Sequence, residues 1–232
     1  LQQPTVVNNV ETFAAVGRLL AMGTFEYLKR GIPGSPGTKL ISISGDCQRP
    51  GIYEIEWGMT VAELLEHCGA EDPYFIQVSG PSGECISIKE KYRRISMLDL
   101  LAQKDIRCGG SFMIFNSKRD LVHILMNFSE FFKHESCGVC TPCRAGNFII
   151  QRKLERLQNG LANRNDLSEL KSWGTIMKTT SRCGLGKTAS NSIIQSLDKF
   201  QDYFDARFTS TDTTYRQFDH HAAVEEYERY KP

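Results

Sequence analysis

Three cysteines stand together in Glu135-Ser136-Cys137-Gly138-Val139-Cys140-Thr141-Pro142-Cys143-Arg144, at C-x2-C-x2-C spacing, and a fourth, Cys183, lies far down the chain. Thiolates hold soft and borderline ions where several of them converge. A tight triplet wraps one side of such a centre, and the remaining ligand must come from elsewhere in the fold. A triplet plus a single cysteine fits a 4Fe–4S cluster, with Cys137, Cys140, Cys143 and Cys183 as its ligands. Structural zinc takes four cysteines more often as two C-x2-C pairs. On these residues alone zinc and disulfides stay open as alternatives. Lys133, Arg144, Arg182 and Lys187 fall close to the cysteines in sequence. Their charge would offset a thiolate-bound cluster and favour its reduced form; the plainer reading is that they solvate one end of the fold. Helix N-termini after Cys143 and Cys183 are expected to point positive dipole ends at the sulfurs.

Other motifs do not hold up. Gly184-Leu185-Gly186-Lys187-Thr188 looks like the end of a phosphate-binding loop, but Ser181 stands where that motif needs glycine. The stretch before it reads as helix, where a strand is required. The five histidines are scattered and no nucleophile–base pair stands out, so no catalytic residue is assigned. The chemistry legible here is one-electron transfer.

The elements that must position these cysteines follow from periodicity. Pro4–Thr12 reads as extended chain with a capping turn at Asn8-Asn9, followed by a helix-like stretch over Phe13–Arg30. Gly31–Gly37 reads as a linker. Strands are expected at Leu40–Ile43, Ile52–Ile55, Tyr74–Val78, Glu84–Ile88 and Ser111–Asn116. A helix after Met59 is announced by the capping box of Thr60 and Glu63 and ended by Gly69. A short helix is expected at Ser96–Leu101. This order suggests a β-grasp, ubiquitin-like domain. Beyond Lys118 the period changes. Leu121, Leu125, Phe128 and Phe132 share one helix face, as do Ile150, Leu154, Leu157 and Leu161. Asp166 with Glu169 opens a third helix carrying Leu170, Trp173 and Met177, and Ile193, Leu197, Phe200 and Phe204 stripe a fourth. Four such helices argue a bundle, whose connections bring the triplet and Cys183 to one end.

The fold class expected is therefore α+β: a β-grasp domain followed by an all-α four-helix bundle carrying an iron–sulfur cluster. The expected segments are 1–37, 38–117, 118–208 and a polar tail, 209–232. In that tail, His220-His221 would point apart on a helix.

The chain has 232 residues, 41% hydrophobic and 24% charged, with a formal net charge of +1. That composition is globular and gives no electrostatic case for nucleic acid. No apolar run is long enough to span a bilayer and no signal peptide opens the chain, so a cytoplasmic location without direct membrane insertion is expected. Cys47, Cys68, Cys85 and Cys108 read as buried small hydrophobes. Leu1 in place of methionine suggests a fragment or a processed chain.

Three separated motifs carry a family resemblance. They are Glu135-Ser136-Cys137-Gly138-x-Cys140-x-Pro142-Cys143-Arg144, Cys183-Gly184-Leu185-Gly186, and Pro4-Thr5-x-x-Asn8-Asn9-Val10-Glu11-Thr12. Together they resemble the flavin-bearing subunit of NADH-dependent dehydrogenases. That family includes the NADH-oxidising subunit of complex I, the diaphorase subunit of soluble NAD-reducing nickel–iron hydrogenases, and NAD-dependent formate dehydrogenases. The resemblance implies a middle domain of the soluble-ligand-binding β-grasp type and a helical cluster domain. It implies that Asn8 and Asn9 line an FMN site, with Leu185 and Gly186 approaching the flavin beside the cluster. NADH would deliver hydride to FMN, and the cluster would take the electrons singly. Implied partners are other subunits of a redox complex, including a 2Fe–2S-type diaphorase subunit and a hydrogenase or dehydrogenase module. The family's glycine-rich half that binds FMN and NADH should precede Leu1, so this chain by itself is expected not to bind NAD(H). Gly184, where complex I relatives more often carry alanine, leans towards the hydrogenase branch. A zinc-stabilised interaction module and a stand-alone ferredoxin-like carrier are the competing readings.

Overall fold

The computed structural model describes residues 2–100 and 109–208. Leu101, Cys108 and the tail with His220-His221 lie outside the described residues.

The chain opens on helix α1 (Val10–Met22), capped by Asn9, whose side chain accepts the Glu11 N–H. Helix α2 (Thr24–Leu28) follows directly. The single helix expected over 13–30 is thus two, because Gly23 at φ 84° cannot continue a right-handed helix. The expected linker is also structured: β1 (Gly31–Ile32) and β2 (Ser35–Pro36) pair as a short antiparallel ribbon. No residue of α1 is buried. It is fastened instead by Glu11, which accepts the Leu40 N–H at 2.8 Å and pairs with the Lys39 ammonium.

A five-stranded sheet comes next. β3 (Thr38–Gly45) and β4 (Gly51–Glu56) are antiparallel, and helix α3 (Val61–His67) follows. Thr60 and Glu63 make the reciprocal capping box, with the Glu63 N–H on Thr60 Oγ1 at 3.2 Å and the Thr60 N–H on Glu63 Oε2 at 2.7 Å. β5 (Pro73–Val78) and β6 (Glu84–Ser87) form a hairpin, and β7 (Ser111–Asn116) runs between β3 and β5, parallel to the first and antiparallel to the second. The short helix expected from Ser96 is a turn over its described part.

Successive strand residues point to opposite faces, and here both faces are covered. Ile76, Ile86, Phe112 and Ile114 pack with Val61 and Leu64 of α3. Phe75, Cys85, Met113 and Phe115 pack against the helical half of the molecule. A strand buried on both sides reads as an apolar run rather than an alternation, which suits the Pro73–Val78 sequence.

The helical half consists of α4 (Leu121–Glu135), α5 (Thr141–Gln158), α6 (Arg164–Thr180), α7 (Gly184–Thr188), α8 (Asn191–Lys199) and α9 (Gln201–Asp205). Its core is Leu121, Leu125, Phe128, Ile150, Leu154, Leu170, Met177, Ile193, Leu197 and Phe204. Three expectations need correction. Leu161 lies beyond the end of α5 and is 61% exposed. The cap of α6 is Asn163, with Asp166 as its reciprocal partner, rather than Asp166 with Glu169. The fourth helix breaks at Phe200, where φ −123° and ψ 42° leave the helical region.

The two halves are pinned to each other by α8. Lys199 Nζ donates to the Cys85 carbonyl at 2.7 Å and to Glu84 at 3.2 Å and Glu90 at 3.0 Å. Gln195 accepts the Cys85 N–H at 2.9 Å, and Ser192 donates to the Pro81 carbonyl at 3.1 Å.

Candidate metal centre

The four cysteines arrive on two arms. On the first, α4 ends at Ser136 and the loop turns through Gly138 at φ 74°. Arg144 fastens this loop by donating to the Gly138 carbonyl. Cys140 is the N-cap of α5, and Cys143 sits in that helix's first turn, not before it. Proline at the start of the helix suits a position whose N–H has no helical partner. On the second arm, Cys183 is the N-cap of α7, a five-residue helix absent from the periodicity reading.

The arms meet. Cys137, Cys140, Cys143 and Cys183 line one cavity of about 100 Å³, together with Glu135, Ser136, Val139 and Leu185. Cys143 is buried, Cys140 half-buried, and Cys137 and Cys183 exposed. Gly186 lies against the first arm: a Cβ there would stand 3.0 Å from Cys143 Cβ and 2.7 Å from Ser181 Cβ. Of the flavin-associated residues expected from the motifs, Leu185 lines the cavity and Gly186 packs behind it. Asn8 and Asn9 stand outside it and form the α1 capping turn, with the Asn9 N–H on Asn8 Oδ1 at 2.7 Å.

Electrostatics favour thiolate at this spot. The backbone N–H groups of Arg182 and Cys143 hold the Cys140 thiol below its ordinary value, with a smaller contribution from the Arg182 charge. The Cys143 N–H belongs to the first turn of α5, where a helix N-terminus favours negative charge, and the Arg182 N–H comes from the turn before α7. Of the four cations anticipated nearby, Arg182 acts on Cys140 and Arg144 braces the loop. Lys133 instead lies over the Phe148 ring at 5.9 Å.

Two polar side chains overlooked in the motif reading touch the site. Asn147 Nδ2 donates to Cys143 Sγ at 3.4 Å and to the Phe132 carbonyl at 3.4 Å. Ser136 Oγ lies 3.4 Å from Cys143 Sγ. The signal for Asn147 was its position one helical turn after Cys143, on the same face.

The donor set suits a polynuclear iron–sulfur group. Four sulfurs line the cavity, and the only oxygen-bearing side chains among its lining residues are Glu135 and Ser136.

A family model described as the NADH-ubiquinone oxidoreductase-F iron–sulfur binding region matches residues 123–207, the stretch containing all four cysteines. Over that stretch, less than half of its length, the chain is similar to this family. Similarity to known proteins extends over most of the chain. It is 48% identical over 204 residues to the NAD-reducing hydrogenase HoxS subunit alpha of Cupriavidus necator, covering 88% of this chain and 33% of that protein. It is 33% identical over 210 residues to the NADP-reducing hydrogenase subunit HndC of Solidesulfovibrio fructosivorans, covering 88% of this chain and 43% of the relative. An NADH-quinone oxidoreductase relative from Mycobacterium tuberculosis is 33% identical over 208 residues, covering 87% of this chain and 46% of that protein. Among solved structures, an NAD+-reducing [NiFe]-hydrogenase in the H2-reduced state superposes with a TM-score of 0.80 at 36% identity, covering 90% of this chain and 36% of that one. The chain thus spans about a third to a half of the length of these curated relatives.

Proposed function

We propose that this chain is the C-terminal part of an NADH:acceptor oxidoreductase flavin subunit, and that Cys137, Cys140, Cys143 and Cys183 hold a 4Fe–4S cluster. The carrying observation is the convergence of all four cysteines from two separate arms on one cavity. When bound, such a cluster accepts and donates one electron at a time. The chain's own residues orient and tune it. The Arg182 and Cys143 N–H groups favour the Cys140 thiolate, Arg144 fixes the loop, and Gly186 lets the second arm approach Cys143 closely.

The sheet order supports the β-grasp reading of segment 38–117. Counted within the sheet it is 2-1-5-3-4, with a helix between the second and third strands. The stacking of α4, α5, α6 and α8 around one core supports the helical cluster domain over 118–208. The whole subunit would use NAD(H) and FMN, with Asn8, Asn9, Leu185 and Gly186 near the flavin. Its partners would be a 2Fe–2S-type diaphorase subunit and a hydrogenase module in the cytoplasm. The hydrogenase branch is favoured by Gly184 and by the 48% identity to the hydrogenase relative. No helix among the described residues is long and apolar enough to cross a membrane.

The test is metal analysis of protein purified without oxygen. Iron and acid-labile sulfide should each approach about four per chain, with a paramagnetic signal on reduction. Cys183→Ser should lose iron and Cys47→Ser should not. A colourless, zinc-loaded protein, or unchanged iron in Cys183→Ser, overturns the proposal.

A further inference from the structure

The four cysteines are not equivalent. Cys143 is 4% exposed, whereas Cys137 and Cys183 face solvent. Cys143 is also the sulfur met by two polar side chains. Asn147 is 2% exposed and sits in the interior of α5. A buried amide with unused donors costs about 1–3 kcal/mol, so its two donor contacts matter. One goes to the Phe132 carbonyl and locks the amide plane against α4; the other is left for Cys143 Sγ, each at 3.4 Å. Ser136 Oγ accepts the Gly138 N–H at 3.3 Å, which leaves its own proton to point at Cys143 Sγ, 3.4 Å away.

We infer that Asn147 is a positioning residue that sets the reduction potential of the centre through a hydrogen bond to the Cys143 sulfur, with Ser136 as a second donor. The inference rests on the cluster reading above. An N–H···S bond strengthens as negative charge on the sulfur grows, so it stabilises the reduced state more than the oxidised one. Burial magnifies the difference, because little water screens the amide dipole. One electron arrives, and Asn147 keeps its protons. A role limited to tying α4 to α5 would need only the Phe132 contact.

The experiment uses anaerobically prepared holoprotein. Iron and sulfide are counted first; a wild type without about four of each defeats the cluster reading, and this inference with it. Asn147→Leu keeps the volume and removes both donors. Potentiometric titration followed by electron paramagnetic resonance should show a three- to tenfold smaller equilibrium constant for reduction, tenfold being about 59 mV for one electron. Ser136→Ala should move it the same way by less. A fully loaded Asn147→Leu whose equilibrium constant stays within twofold of wild type overturns the inference. If Asn147→Leu does not load, wild-type protein labelled with nitrogen-15 in asparagine side-chain amides decides. Pulsed resonance of the reduced centre should show coupling to that nitrogen, and its absence refutes the bond.

Discussion

Replacing Lys153 by methionine tests what holds α5, which carries Cys143, against α6, which leads to Cys183. Lys153 on α5 and Asp166 on α6 form an ion pair at 2.7 Å, with side chains 10% and 3% exposed. Glu169 adds a contact to Lys153 at 2.6 Å and Arg156 one to Asp166 at 3.3 Å. Burial alone would raise the Asp166 carboxyl, but the Lys153 hydrogen bond, the Asn163 N–H and the Lys153 and Arg156 charges hold it below its ordinary value. With Lys153 gone, the burial of the carboxyl is opposed by the Asn163 N–H and the Arg156 charge. Stranding one partner of a buried pair costs about 3–5 kcal/mol. Arg156 remains on Asp166, so the lower end, about 3 kcal/mol, is expected. For a chain of this size each kcal/mol moves the melting temperature by about 2–4 °C, giving a fall of about 6–12 °C. The comparison variant is Lys171→Met. Its pair with Asp198 is also 2.7 Å long, but the side chains are 49% and 56% exposed. Solvent screening limits that loss to about 1 kcal/mol or less. Circular-dichroism melts under argon, with the centre loaded, read both. Since the Lys153 pair joins the helix ends remote from the cysteines, iron content and potential should not change. Equal melting shifts in the two variants would refute the reasoning.

Two further outcomes follow from packing and burial. Gly186→Ala places a methyl against Ser181 and Cys143. Overpacking of this kind costs about 1–3 kcal/mol, and iron should be lost to a chelator faster than from wild type; equal rates would contradict the close approach. Burial, with Cys47 as a smaller cause, pushes the Cys68 thiol from 9.0 up to about 11, and burial pushes Cys85 up to about 12. Both keep their protons in the folded state where the unfolded chain has lost them. Their stabilising share is full below the unfolded value and falls as pH rises through 9.0 towards 12. Urea midpoints should therefore drop across that window, and a Cys85→Ala variant should drop less steeply.

Local signals read well, and signals set by packing did not. The Thr60–Glu63 box was legible because both partners lie within one helical turn. At α6 the same logic misplaced the cap by one step. Asn163, Asp166 and Glu169 are all cap-compatible in spacing, and only the reciprocal bonds at 2.9 and 3.1 Å between Asn163 and Asp166 choose. The turn after Ser96 looked helical, yet Asp99 bonds Arg93 and the Arg94 N–H while Ser96 accepts the Asp99 N–H. Such side-chain bonds compete with helix formation. Phe200 keeps the apolar period of its neighbours, because a buried ring beside Tyr74 and Phe75 is needed there whether or not the backbone is helical. At the site, the cysteine spacing pointed to convergence, and the four cysteines line one cavity. Asn147 stayed invisible, since an asparagine in mid-helix reads as surface until its neighbour is known to be a buried sulfur.

The grip of Lys199 on Glu84, Glu90 and the Cys85 carbonyl reaches beyond the two elements it joins. Bonds run from Glu11 into β3, across the sheet to β6, and through Lys199 into α8. The sheet is a strut. Tunnelling between redox groups weakens exponentially with their separation, so a slack connection would let the rate wander with every thermal fluctuation. On the function proposed above, a braced one would keep the interval between the N-terminal turn and the four cysteines constant.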